Sequence, residues 1–200
     1  MDNPTYRRMG DHTETVQVDF DPQRITYEDL LAFFWAHHQP TSPSWKRQYL
    51  HAVFYHDARQ QQQALASRAA VENRLGQPVR TEVLPLRTFT PAEDYHQKYI
   101  LKREADLMRE LSRMYPRHQD IVDSTAAARL NGYVGGYGTP EQLSREIDSL
   151  GLSPAGRRKI EQLVQGILAQ QQRIDVEPAL AVVQDRNGER ENVVLVDRLA

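Results

Sequence analysis

From Glu14 to Leu86 the apolar residues of this 200-residue chain change period four times, and after Tyr99 they keep a helical period for most of the remaining length. A chain that alternates between the two-residue repeat of a strand and the 3.6-residue repeat of a helix builds a sheet covered by helices. The first half therefore reads as α/β, and the second as helical.

Glu14 to Phe20 alternates polar Thr15, Gln17 and Asp19 with apolar Val16, Val18 and Phe20, the pattern of a half-buried strand that Asp21-Pro22 ends. Thr26 followed by Asp29 is a capping-box pair, and Leu30, Leu31, Phe33, Phe34 and Trp35 give an apolar stripe for a helix to about His38. Tyr49 to Tyr55 reads as a second strand. Ala58 to Leu75 reads as a long polar helix stopped by Gly76 and Pro78, and Val79 to Leu86 returns to strand. Beyond Tyr99, helices are predicted over 104–115, 120–130, 140–150 and 154–174, with Thr139-Pro140-Glu141-Gln142 and Ser153-Pro154 marking two starts. Leu111, Met114 and the Ile160, Leu163, Val164, Ile167, Leu168 stripe have the spacing of packing faces. The runs 180–183 and 193–196 around Asn187-Gly188 predict a terminal hairpin.

A formal charge of -2 supplies no basic field for nucleic acid or an anionic membrane surface. No run approaches the roughly 20 apolar residues that span a bilayer, and the polar stretch from Asp2 to Asp11 is unlike a signal peptide, so the expected location is cytoplasmic. The chain contains no cysteine, which removes disulfides, thiolate metal sites and thiol catalysis together.

Four blocks stand in order along the first half: Asn3-Pro4-Thr5-Tyr6, His12-Thr13-Glu14, Arg47-Gln48-Tyr49, and Pro91-Ala92-Glu93-Asp94-Tyr95-His96-Gln97. In that order they resemble the A-type peptide-methionine (S)-S-oxide reductases. The resemblance covers about Asp2 to Tyr99. It implies a two-layer α/β (α+β) sandwich built as a ferredoxin-like plait, followed here by a helical C-terminal extension. The corresponding organisation is a partial reductase-like domain at 1–102, a helical extension at 103–174 and a tail at 175–200.

The family carries Gly-Cys-Phe-Trp-Gly on a first strand upstream of these blocks. Against that pattern Met1 falls midway through the domain, and the chain reads as a fragment, a product of internal initiation or a degenerate relative. A plait without its first strand-helix-strand is expected to expose Phe33, Phe34, Trp35 and Val53 and to leave a sheet edge unpaired, which favours association or aggregation. The C-terminal helices, folded back over that face, are the one internal compensation the sequence offers.

Reduction of a sulfoxide by a thiol needs attack on sulfur, a proton for the departing oxygen, and hydrogen-bond donors around that oxygen. By resemblance Glu14 is the acid and Tyr6 and Tyr49 are the phenols, with His12, Gln48 and Trp45 in contact with substrate. No bound cofactor is implied; the reductant is thioredoxin and the substrate is methionine sulfoxide in peptides or proteins. Glu14 would have to stay protonated near neutral pH, which needs a weakly polar pocket to push its pKa well above the ordinary carboxylate range. This chain has Asp11-His12-Thr13-Glu14 where the family has Gly-His-Ala-Glu, and Ser44-Trp45-Lys46-Arg47 where the family places an aspartate. Trp45 offers a substitute apolar wall.

The histidine pairs His37/His38 and His51/His56 have poor spacing for a metal: neighbours on a helix diverge, and residues five apart on a strand lie on opposite faces. His96 is expected to be a scaffold residue. Asn131 to Gly138 lacks the order of a phosphate-binding loop and reads as a turn between helices.

Overall fold

A computed structural model describes residues 8, 10–176 and 193–195. The chain divides into two compact units, one formed by 1–91 with 185–200 and the other by 92–184. Each is described by itself.

The first unit is mixed α/β. Its elements run β1 (Val16–Val18), α1 (Tyr27–Ala36), β2 (Ala52–Tyr55), α2 (Ala58–Leu75) and β3 (Glu82–Pro85). The capping box forms as its sequence requires: Asp29 N–H donates to the Thr26 hydroxyl at 3.1 Å, and Thr26 N–H donates to the Asp29 carboxylate at 3.0 Å. The Thr26 hydroxyl, and then its backbone, hold the Asp29 carboxyl below its usual range. Asp57 caps α2 by accepting from Gln60 N–H at 2.8 Å, and Gly76 ends it with φ 63°, a left-handed conformation that glycine adopts without a Cβ penalty. Strands β2 and β3 pair in parallel with Ala52 opposite Glu82, so α2 is the crossover that parallel pairing demands.

The core of this unit joins Tyr27, Leu31, Phe34 and Trp35 of α1 to Val53, Ala64, Val71 and Val79. That corrects the expectation of exposure at three of the four apolar positions. Phe34, Trp35 and Val53 are buried, because residues 27, 31, 34 and 35 share one helical face and Trp35 Nε1 donates to Ser67 Oγ on α2 at 2.9 Å. Phe33, on the other face, is 57% exposed and stacks on His37.

Two further expectations are corrected at the edges. The strand expected over 14–20 keeps a ladder only at Val16–Val18, and Asp19 is exposed. Of the predicted hairpin, 180–183 lies outside the described residues, while β4 (Val193–Leu195) pairs in parallel with β1, Val16 opposite Val193. It also lies beside β2 without a ladder to it. The element that joins the first unit from the far end of the sequence is thus a strand.

A histidine network that sequence proximity did not suggest closes this core. The His38 ring lies 2.8 Å from the Phe34 carbonyl through Nδ1 and 2.8 Å from Thr81 Oγ1 through Nε2, and 5.5 Å from the His51 ring. A proton on Nδ1 satisfies the carbonyl and leaves Nε2 to accept from the Thr81 hydroxyl, so the neutral ring is fully bonded. Burial pushes the His38 pKa down; the Phe34 carbonyl opposes this and His51 adds to it. Because the unfolded chain then binds the proton more readily than the folded one, stability is full above the ordinary imidazole range and falls as pH drops through it. Both tryptophans of the chain, Trp35 and Trp45, lie in this unit and report its unfolding. Melting followed by tryptophan fluorescence is expected to lose stability between about pH 7 and pH 5, with a shallower loss in His38→Gln. Equal slopes in the two proteins would remove His38 from the account.

The second unit is helical: α3 (Ala105–Met114), α4 (His118–Asp123), α5 (Thr125–Val134), α6 (Pro140–Glu146) continued by a 3-10 turn at Ile147–Leu150, and α7 (Pro154–Val176). The helix expected over 120–130 is two helices. Ser124 breaks it by accepting from Ala127 N–H at 3.0 Å as the cap of α5. Leu101, Leu107, Leu111, Leu130, Leu150 and Ile160 are fully enclosed in its core; of the predicted packing faces Leu111, Ile160 and Val164 are buried, while Met114 sits at the edge. Glu110 of α3 accepts from Ser153 N–H at 2.9 Å and from its hydroxyl at 2.5 Å, fixing the start of α7. The Asp94 to His118 contact at 3.6 Å and a Lys102 Nζ bond to the Asp94 carbonyl tie the 92–99 segment into this unit.

The glycine-rich stretch is more structured than a turn. Residues 131–134 complete α5, and Gly136, at φ 83°, turns the chain out of the helix. At Gly138 a Cβ would stand 2.2 Å from the buried Tyr133 ring. We expect Gly138→Ala to destabilise this unit by about 1–3 kcal/mol through overpacking. Unfolding in urea followed by far-UV circular dichroism measures it, and an unchanged midpoint would show that the ring yields freely.

Candidate functional site

The turn between α1 and β2 meets the segment that leads into β1, all within the first unit. Glu14 N–H donates to the Gln48 carbonyl at 2.9 Å, Thr13 Oγ1 donates to the Arg47 carbonyl at 3.0 Å, and Arg47 Nε donates to the Asp11 carbonyl at 3.4 Å. These bonds clamp residues 11–14 onto the 3-10 turn Arg47–Tyr49. Two blocks 34 residues apart in sequence therefore become neighbours.

Above the backbone clamp the side chains pair. Gln48 Nε2 donates to Glu14 Oε1 at 2.5 Å, and both residues are half-buried. An amide N–H on a carboxyl oxygen orients the group. Tyr49, half-buried, stacks on Trp45 with ring centroids 5.0 Å apart and 28° between planes, and the Lys46 ammonium stands 4.6 Å over the Trp45 ring. Trp45 itself is 69% exposed, so its ring forms the outer wall of the patch. His12 is half-buried, with Nε2 4.0 Å from Asp11 Oδ1.

Of the predicted site residues, Glu14 and Gln48 are in direct contact, Tyr49 follows Gln48 in the same turn, Trp45 stacks on Tyr49, and His12 lies within the clamped segment. Tyr6 lies outside the described residues. Sequence reasoning missed Ser44, whose hydroxyl accepts from His51 N–H at 2.9 Å and anchors the loop that carries Trp45; a serine after Pro43 is too common to have signalled it. It also missed Thr13 as a clamp. His96, in the second unit, is half-buried with Nε2 4.0 Å from Glu93 Oε2. Among the described residues no group of three potential ligands could hold a metal ion, and no helix is long and apolar enough to cross a membrane.

The residues fix a class no narrower than an α/β unit in which a carboxyl group pairs with a side-chain amide and the next residue of the same turn is a stacked tyrosine. Comparison with known proteins gives that class a family. The family described as peptide methionine sulfoxide reductase matches residues 1–129, and the helical domain of selenoprotein methionine sulfoxide reductase A matches residues 118–168. A peptide methionine sulfoxide reductase of Drosophila melanogaster is 42% identical over 160 residues, 78% of this chain and 63% of that protein. Peptide methionine sulfoxide reductase MsrA of Acidobacterium capsulatum is 42% identical over 114 residues, 52% of this chain and 73% of its own length. Peptide methionine sulfoxide reductase A5 of Arabidopsis thaliana is 33% identical over 153 residues, 74% of this chain and 59% of its own. The chain belongs to the peptide methionine sulfoxide reductase family, and it spans about 63% of the Drosophila relative's length.

Proposed function

We propose that this chain carries the oxygen-binding part of a methionine (S)-sulfoxide site, and that reduction at that site draws on a thiolate from outside these 200 residues. The observation that carries the reading is the Glu14–Gln48 pair beside the Trp45–Tyr49 stack, on blocks that match the family. Glu14 would give a proton to the sulfoxide oxygen, Tyr49 and Tyr6 would donate hydrogen bonds to it, and Trp45 would cover the methyl end of the side chain. His12 and Gln48 would hold Glu14 and the bound side chain in place.

In the complete reaction a thiolate attacks the sulfoxide sulfur and the sulfur–oxygen bond breaks. The oxygen leaves as water, and two thiols end as a disulfide that thioredoxin reduces. The substrate is oxidised methionine in proteins, the role is repair after oxidative stress, and the location is cytoplasmic. The finer description of the first unit as part of a ferredoxin-like plait, with a reductase-like domain at 1–102, a helical extension at 103–174 and a tail at 175–200, rests on the family match; the direct parallel pairing of β2 and β3 supports only the α/β character of the unit. The absence of any thiol in these residues favours a second reading in which the same pocket holds a sulfoxide without turning it over.

Tyr49→Phe removes one donor and keeps the stack, so a peptide containing methionine sulfoxide is expected to bind about 3- to 10-fold more weakly, the equivalent of one hydrogen bond. Calorimetric titration of both proteins reads this. Unchanged affinity in Tyr49→Phe and in Glu14→Gln would place the sulfoxide elsewhere.

A further inference from the structure

Strand β1 has one ladder partner among the described residues, and that partner comes from the other end of the sequence: Val16, Gln17 and Val18 face Val193, Val194 and Leu195 in parallel. The clustering of contacts agrees, since 185–200 belongs with 1–91 although α7, just before it, belongs to the other unit. β4 also runs beside β2 and against α1. The seat it occupies is thus bordered by β1 on one side and β2 on the other, over a helix.

A three-residue parallel ladder is a short grip, and parallel pairing is weaker per residue than antiparallel. The strand keeps its place largely because residues 177–192 tether it, which fixes its local concentration on the order of millimolar. Remove the strand and β1 presents unpaired N–H and C=O groups, the template onto which extended segments add. The described residues that fill it are Val193, Val194 and Leu195, and the surrounding sequence, Glu191-Asn192-Val193-Val194-Leu195-Val196-Asp197-Arg198, is a mostly β-branched apolar run flanked by polar and charged residues.

We propose that the edge of β1 toward β2 is a docking groove for an extended, β-branched apolar segment running parallel to β1, and that the chain's own C-terminal strand is its built-in, displaceable occupant. The groove selects for backbone in extended form and for short branched side chains. Any segment of that chemistry supplied at a concentration above the tether's competes for it.

Because the chain has no cysteine, Gln17→Cys with Val194→Cys in the full chain creates a single possible disulfide. Opposed residues of a ladder lie about 5 Å apart at Cα, within reach of a disulfide. Mild oxidation is expected to give a cross-linked monomer, and a synthetic peptide of residues 189–200 at several times the tether concentration should slow the reaction severalfold, whereas a scrambled peptide should not. A cross-linked dimer would seat the tail on a second copy and overturn the assignment in cis. Failure to cross-link, or cross-linking that the peptide leaves untouched, would overturn the groove. Hydrogen exchange on the unsubstituted chain reads the same point without substitutions: added peptide should speed exchange at the chain's own 193–195 while 16–18 stay protected. Unaltered exchange at 193–195 would also count against displacement.

Discussion

Purified as these 200 residues and freed of host reductase, the protein is expected to give no thioredoxin-coupled turnover of free or peptide-bound methionine sulfoxide. The reason is chemical. Attack on the sulfoxide sulfur needs a thiolate held against it, and holding a nucleophile in place is worth up to about 7–11 kcal/mol over the same group free in solution. The chain has no cysteine, and a hydroxyl or carboxylate does not substitute in this step. What remains is activation of the oxygen by Glu14 and Tyr49, and general acid catalysis alone contributes about 10²–10⁴. A small stimulation of the reaction of an external thiol, abolished by Glu14→Gln, is compatible with that figure. Thioredoxin-coupled turnover at rates typical of enzymes, about 1 s⁻¹ or more, would contradict it.

The second large effect is structural. Leu130, fully enclosed on α5 among Leu101, Leu107, Leu111 and Ile160, has no route by which solvent could relieve its removal. Leu130→Ala is expected to cost about 2–5 kcal/mol, the sum of lost transfer energy and the cavity left behind. Against a total stability of about 5–15 kcal/mol, that is a large fraction of what holds the helices together. Denaturant unfolding followed by far-UV circular dichroism measures it. A loss below about 1 kcal/mol would mean that the site collapses around the smaller side chain and that the core is less tightly packed than its burial indicates.

Features settled within a few residues of one another were legible in the sequence, and those that depend on distant segments were not. The caps at Thr26 and Thr139 each formed with the predicted partner, because both halves of a capping box lie within one turn. The same local rule also applied at Ser124, where a serine before Thr125-Ala126-Ala127 carried a start signal that the unbroken apolar pattern masked. The histidines show the opposite case. Pairing them by sequence distance joined His37 to His38 and His51 to His56, whereas the rings that approach are His38 and His51, brought together by the packing of α1 against the strand region. Periodicity alone has no means of placing β4 beside β1, since the ladder joins the two ends of the chain. Gly138 read as part of a turn between helices in sequence, and its lack of a Cβ leaves room for Tyr133.

The candidate site divides along the same line. Composition and periodicity say nothing about Glu14, an ordinary residue at the start of a strand; only the ordered blocks that resemble the family singled it out. Its contact with Gln48 then rests on the clamp through Thr13 and Arg47, two residues with no marked signal of their own. Trp45 stacks on Tyr49 with the Lys46 ammonium over its ring, a pairing of adjacent side chains in one loop that the sequence order did not reveal.

The account stands most directly on recognition of the oxygen. The measurement is a calorimetric titration of the full chain with a short peptide containing methionine (S)-sulfoxide, and with the same peptide containing methionine, the products being checked afterwards by chromatography. Saturable binding of the sulfoxide on the order of millimolar or tighter, at least about tenfold weaker binding of the sulfide, and recovery of the sulfoxide unchanged are the predicted results. Equal affinity for the two peptides, or no saturable binding of either, would contradict the claim that Glu14, Gln48 and Tyr49 hold a sulfoxide oxygen.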